Sequence, residues 1–409
     1  MRITARMAVF APFLLFLAGA ARAAEPLTLE GALGIARERA PAIVAERLRL
    51  EEARARAASQ DRFATSNPEL EASMGWRESG GTTNPDQDWE IALSQSFSDL
   101  VRGPARSEAA LARLDADSRS LDDATRAVLL EVAAACSGQI ALQRRSALAM
   151  ESLEIAARTR EAAERRFAAG DVAQLDVNVA RMLHARAAAE LATAEAALAE
   201  SRARLGSLLD LEPGEPLEMV ADLSLPGVAA DADVEALVAA RSDVRRLDAE
   251  LATTRAELRL ASPGRALDWG LVAAVAEDDG DRITTAGLRF ALPFADRGQF
   301  ERSEANARLA RLEHERAALV RAASGEILAA RAAYSKLHES AESLTSTLLP
   351  LLDENDSLAL ESYDAGQIGI AELAAVRRES IDAHNAFISH WLDARLAGFR
   401  LRFVSGDLQ

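Results

Sequence analysis

The chain has 409 residues, a formal net charge of −17, 49% hydrophobic residues but only 4% aromatic ones, and one cysteine, Cys136. An acidic balance of this size excludes nucleic acid as a partner and rules out charge as the means of holding an anionic lipid surface. With much of its apolar fraction in alanine, the chain suits close helix packing rather than a thick globular core, and a lone cysteine excludes an intrachain disulfide.

At the N-terminus, Arg2 and Arg6 precede an apolar run, Met7 to Ala20, and a small-residue site, Ala21-Arg22-Ala23. This reads as a cleaved secretory signal over 1–23; a retained anchor fits less well, because polar sequence follows at once at Glu25. Cleavage removes Arg2, Arg6 and Arg22 and no acid, which takes the net charge to −20. No cysteine lies near the cleavage point, so no lipid anchor is expected. Cys136 falls in an alanine-rich helical stretch and reads as a small buried residue.

Next comes period-2 alternation. Leu70, Ala72, Met74 and Trp76 fall on one face and Glu71, Ser73 and Gly75 on the other; after a polar loop, Ser79 to Asp88, the alternation resumes from Trp89. The pattern predicts a β-hairpin with strands at about 68–78 and 88–98. From Arg106 to Gly170 the sequence is rich in charge, alanine and leucine and free of proline. That predicts a helix of roughly 96 Å at 1.5 Å per residue, longer than an ordinary globular domain needs. Gly170 is its expected C-cap, and a return helix runs from about Leu175 to Leu208.

The plan then repeats. Arg106-Ser107-Glu108-Ala109 recurs as Arg302-Ser303-Glu304-Ala305, and Phe167-Ala168-Ala169-Gly170-Asp171-Val172 corresponds to Tyr363-Asp364-Ala365-Gly366-Gln367-Ile368, both shifted by 196 residues. A shared register marks an internal duplication, with a first unit at 24–225 and a second at 226–409. In the second unit Leu267, Trp269, Leu271, Ala273 and Val275 alternate, a turn falls at Asp278-Asp279-Gly280, and Ala286, Leu288, Phe290 and Leu292 return, which predicts strands at about 266–276 and 283–294. Pro350 must kink or divide the second long helix, because it removes one helical hydrogen bond. Gly366 is the second tip, and its return helix runs from about Glu372 to Arg400.

Four strands cannot close on themselves, and an open edge in lipid leaves amides unsatisfied at a cost of several kcal/mol each. Apolar outward faces, strands about ten residues long and Trp76, Trp89 and Trp269 on the apolar side resemble a transmembrane barrel with an aromatic girdle. Three chains would supply about twelve strands. A soluble sandwich is the alternative, but it needs more sheet.

These features resemble the TolC-like outer membrane efflux proteins over nearly the whole chain beyond the signal. The tip sequences, Phe167 to Val177 and Tyr363 to Leu373, look like that family's periplasmic turns, and Asn67-Pro68-Glu69-Leu70 and Leu292-Pro293-Phe294 are similar to its heavy-metal branch. The resemblance implies a mainly α chain with a small β part: helical hairpins forming a periplasmic tunnel, and a homotrimer sharing a 12-stranded barrel in outer-membrane lipid. It implies an adaptor protein docked at the tips and, through it, a proton-driven inner-membrane pump of the resistance-nodulation-division type. Adaptor contact is expected at Gly170, Asp171, Val172, Gly366, Gln367 and Ile368. Glu372 matches a position where the family carries a constricting acidic ring, although Ala375 stands where a second acid is common; Asp176 is its counterpart in the first unit. Both acids have an ordinary alternative role, favourable charge in the first turn of a helix.

No zinc-protease pair, phosphate loop, nucleophile elbow or dinucleotide fingerprint is present, and His184, His314, His338, His384 and His390 are scattered, so neither an enzyme, a cofactor nor a bound metal is expected. A periplasmic coiled-coil adaptor or a structural envelope protein would explain the helices. Neither gives the tryptophan-bearing strands a purpose.

Overall fold

A computed structural model describes residues 26–60, 67–77, 86–97, 99–215, 217–227, 233–262, 268–278, 281–291 and 297–406. The proposed signal, Leu267, the turn residues Asp279 and Gly280, and Leu292-Pro293-Phe294 lie outside them. The element order is α1 (Leu29–Arg39), α2 (Pro41–Gln60), β1 (Glu69–Arg77), β2 (Asp86–Ser96), α3 (Asp99–Ala169), α4 (Gln174–Leu208), α5 (Val234–Ala240), α6 (Ser242–Leu260), β3 (Asp268–Asp278), β4 (Asp281–Ala291), α7 (Gln299–Ser343), α8 (Leu349–Asp364) and α9 (Ile370–Val404). The protein is mainly helical with one small sheet. Two short helices, two strands, a long helix and a return helix occur twice in succession.

Local chemistry sets the helix boundaries. Thr28 caps α1 by accepting from Gly31 N–H at 3.0 Å, and Asp233 caps α5 by accepting from Glu235 N–H at 3.2 Å. Pro41, which needs no helical partner for its nitrogen, opens α2. The 71 residues of α3 span about 106 Å. Between α7 and α8 the chain widens into a π-helical turn, Leu344–Leu348, where Leu349 N–H donates back to Leu344 O. Pro350 sits in the first turn of α8, so the interruption expected there takes the form of a wide turn that absorbs the missing hydrogen bond.

The four strands form one antiparallel sheet in the order β1-β2-β3-β4. Its bounds differ by one to three residues from the expected ranges: 88–98 becomes Asp86–Ser96, 266–276 becomes Asp268–Asp278, and 283–294 becomes Asp281–Ala291. Pairing rather than side-chain polarity sets these ends, because polar Asp86 and Gln87 are held in the ladder opposite Arg77 and Trp76. The helices flanking the strands keep the same lateral order, with α2 against α3, α3 against α6, and α6 against α7. Sheet and flanking helices therefore share one lateral order, with β1 and α2 at one end and β4 and α7 at the other, where α7 also packs on α9.

The largest core lies at mid-height, where Ile43, Leu129, Cys136, Leu205, Trp391 and Phe399 pack together. Burial pushes the Cys136 thiol up to about 12. Across this core runs a strap, residues 217–227, that joins the two halves of the chain. Gln139 Nε2 donates to Leu217 O at 2.9 Å, Trp391 Nε1 to Leu223 O at 2.8 Å, and Arg395 Nη1 to Asp222 O and Ser224 O at 2.8 and 2.6 Å.

Candidate functional site

Two regions concentrate the residues singled out above: the paired helical tips and one face of the sheet. Both tips are Schellman turns. Gly170, at φ 85°, donates to Phe167 O at 2.9 Å, and Asp171 N–H donates to Arg166 O at 2.9 Å. Gly366, at φ 73°, donates to Tyr363 O at 3.0 Å, and Gln367 N–H donates to Ser362 O at 2.8 Å. Every atom pair is reproduced 196 residues later, so the two glycines occupy equivalent left-handed positions that a side chain would strain.

Around these turns Asp171 and Gln367 are exposed, while Val172 and Ile368 are half-buried. The tips pack on each other through Ala163, Ala180, Tyr363, Ile370 and Leu373. Arg166 crosses between them. Its Nη2 donates to Tyr363 O at 3.2 Å and Asp364 O at 3.1 Å, and its guanidinium carbon lies 5.1 Å from the Tyr363 ring centroid. A cation is thus placed at the C-terminal end of α8, where carbonyls lack helical partners. Burial raises the pKa of the Tyr363 hydroxyl against the opposing pull of Arg166.

The two tip acids differ. Asp176 Oδ2 accepts from Ala173 N–H at 3.2 Å, so this half-buried carboxylate caps its own helix. Glu372 occupies the equivalent third position of α9, with its N–H donating to Gly369 O at 3.1 Å, and its side chain is exposed. A little above the second tip, Asp356 Oδ2 binds Arg377 Nη1 and the Ser380 hydroxyl, each at 2.7 Å, and His384 Nδ1 lies 2.9 Å from Ser380 O. His384 Nε2 also lies 3.7 Å from Asp353 on α8, so His384 is interhelical. Among the described residues no group of three potential metal ligands gathers.

On the sheet, the register opposes Met74 to Trp89, Ala72 to Ile91 and Leu70 to Leu93, then Leu93 to Ala273, and Trp269 to Phe290. Trp76, Trp89 and Trp269 consequently share one face with Leu271 and Leu288. Leu70 is 71% exposed, Trp76 70% and Leu288 61%, and no second sheet covers this face among the described residues. Trp89, whose Nε1 donates to Glu277 Oε2 at 2.9 Å, lies toward the hairpin-turn end; Trp269, stacked on Phe97 at 5.2 Å, lies at the opposite end. The other face carries Glu71, Ser73, Glu90, Thr285 and Gly287. Among the described residues, β1 and β4 each have one edge with no strand beside it.

Sequence reasoning missed Arg166, the Asp356 cluster and the strap contacts of Arg395. The only signal for Arg166 was a break in the repeat, since Ser362 stands at the equivalent place.

Comparison with known proteins places these features. Residues 32–210 match the family model of outer membrane efflux proteins. Nodulation protein T of Rhizobium leguminosarum bv. trifolii is 32% identical over 158 residues, 38% of this chain and 34% of that protein. The cobalt-zinc-cadmium resistance protein CzcC of Cupriavidus metallidurans is 27% identical over 261 residues, 60% of each chain. The matches thus span about a third and about three fifths of these curated relatives. The outer membrane channel CmeC of Campylobacter jejuni superimposes with a TM-score of 0.79 at 14% identity, over 93% of this chain and 85% of that one, a likeness of fold.

Proposed function

We propose that the chain belongs to the outer membrane efflux proteins, whose family model matches residues 32–210, and that it is the outer-membrane exit channel of a tripartite efflux system, working as a homotrimer. The observation that carries this reading is the sheet, with one exposed apolar face and two unpaired edges. β1 and β4 run antiparallel, so β4 of one copy pairs with β1 of the next, and three copies close a 12-stranded barrel with its edge amides satisfied. Strands of 9–11 residues suit a tilted membrane crossing. Trp76 and Trp89 toward one rim and Trp269 at the other suit an aromatic girdle at both interfaces. Below the barrel the helices, in the same lateral order, continue as a periplasmic tunnel.

The protein is exported by the signal over 1–23, and its two units are 24–225 and 226–409. At the tips, Gly170, Asp171, Val172, Gly366, Gln367 and Ile368 form the docking turns for a periplasmic adaptor, which links the channel to a resistance-nodulation-division-type pump. The pump supplies the work and the channel conducts passively. Three copies of Glu372 form an acidic ring at the mouth that attracts cations and resists closure through mutual repulsion. Asp176, already engaged as a cap, contributes less. The name of the Cupriavidus relative supports metal cations as cargo.

The deciding experiment is extraction of the outer-membrane fraction followed by unheated electrophoresis and planar-bilayer recording. A heat-modifiable trimer with ion conductance is expected; a water-soluble monomer without conductance would sink the reading. Deletion followed by a panel of metal and drug sensitivities identifies the cargo.

A further inference from the structure

Away from both regions, a partly enclosed cleft of about 450 Å³ lies where the α1–α2 break, α3, the α5–α6 break and Gly406 converge. Ile43 and Leu129 give it an apolar floor. Its polar lining carries Arg37, Arg47, Arg119, Arg126 and Arg245 against a single carboxylate, Asp122. In a chain with 64 acidic and 47 basic residues, five arginines to one acid is a reversal of the surrounding charge. These arginines come from four helices and meet only in the folded chain.

The nearby acids are already engaged. Asp123 accepts from the Ser242 hydroxyl at 2.6 Å and lies 3.5 Å from Arg246, and Asp243 pairs with Arg241 at 2.7 Å. Arg119 lies between Asp115 at 3.5 Å and Asp122 at 3.8 Å, and Arg47 Nη2 donates to the Arg37 carbonyl at 2.9 Å. Arg126 stacks on Phe403 and donates through Nη2 to Phe403 O at 2.6 Å, yet its Nε is buried with no hydrogen-bond partner. Burial, with Arg241 and Arg245 nearby, holds the Arg126 guanidinium below its ordinary value in spite of Asp123 and Asp243. Arg47, Arg126 and Arg245 therefore face the cleft with no carboxylate paired to them among the described residues.

We propose that this cleft binds a small polyanion, a molecule bearing two or more carboxylate or phosphate groups on a short carbon or phosphate skeleton. Guanidinium forks match planar oxyanions in a bidentate manner, and the ligand would supply the missing countercharge. The volume falls within the range of roughly 300–1,000 Å³ typical of small-molecule sites, and partial enclosure suits such a ligand better than a flat protein surface. The inference does not rest on the channel reading, and its test does not use conductance.

Titration calorimetry of the purified, detergent-solubilised protein with pyrophosphate and with tricarballylate, at fixed ionic strength, tests it. Saturable binding of at least one probe is expected, and the better probe tells a phosphate source from a carboxylate source. The exposed pair Arg47→Gln/Arg245→Gln should weaken binding at least tenfold without changing the circular dichroism, whereas Arg49→Gln/Arg54→Gln, outside the cleft, should leave it unchanged. If the cleft pair does not fold, Arg245→Gln alone, expected to weaken binding several-fold, takes its place. No saturable binding of either probe, or equal binding by cleft and control variants, overturns the proposal.

Discussion

Arg166, at the end of the first long helix, lies over the ring of Tyr363 at the end of the second and binds the two carbonyls that close α8. One side chain thus ties the two tips together within a protomer. Arg166→Ala removes a cation–π contact and two charge-assisted hydrogen bonds, about 1–3 kcal/mol of local stability. Amide exchange over residues 359–373 should quicken roughly tenfold or more while the mid-height core keeps its protection. Unchanged tip exchange would show that the contact does not hold the tips.

Glu372 is tested by multivalent cations. Glu372→Ala should weaken their block of single-channel current, because a carboxylate ring concentrates cations in proportion to its charge. Glu372→Asp, which keeps the charge, should retain most of the block. Equal block in all three proteins would leave Glu372 as an ordinary first-turn acid.

At Gly366 the backbone has φ 73°, so Gly366→Val forces a β-branched residue into the left-handed region at about 1–3 kcal/mol. The tip should refold its last turn, and adaptor cross-linking at Gln367 should fall. Full cross-linking with normal efflux in the variant would remove the second tip from the docking surface.

The two sheet faces predict opposite tolerance. Leu288→Arg places a charge on the exposed apolar face, at a cost of about 2–4 kcal/mol near the midplane of a bilayer, and should abolish the trimer band in the outer-membrane fraction. Thr285→Arg, three residues away on the other face, should assemble and alter only conductance. Normal assembly of the Leu288 variant would mean that lipid does not cover this face.

Arg395 is 2% exposed and holds the strap through Asp222 O and Ser224 O while stacking on Trp391 and Phe399. Arg395→Ala leaves two carbonyls without their donor and a gap between rings, a loss of roughly 3–5 kcal/mol. Limited proteolysis should cut within 220–227 in the variant and not in the parent. Arg395→Lys should rescue little, since one ammonium cannot reproduce the planar fork. A protease-resistant Arg395→Ala protein would show that the other pins suffice.

Much of this architecture is legible along the chain. Gly170 and Gly366 announce their turns because a left-handed cap is a property of a few adjacent residues, and the side of the sheet on which Trp76, Trp89 and Trp269 fall follows from period-2 alternation alone. Strand ends are displaced because a backbone amide pairs whether its side chain is polar or not, and the ladder of β2 with β3 joins distant residues, from Trp89 with Glu277 to Ser96 with Gly270. Arg166 over Tyr363, Arg395 on the strap and the arginine-lined cleft had no comparable local signature. The sequence by itself determined the duplicated, hairpin-bearing plan, since the turns and alternations that mark each unit are written in short-range spacing and recur in one register. Only the tertiary structure decided which tip residues touch, where the strap is pinned and which cations converge, because those depend on how helices distant in the chain lie side by side.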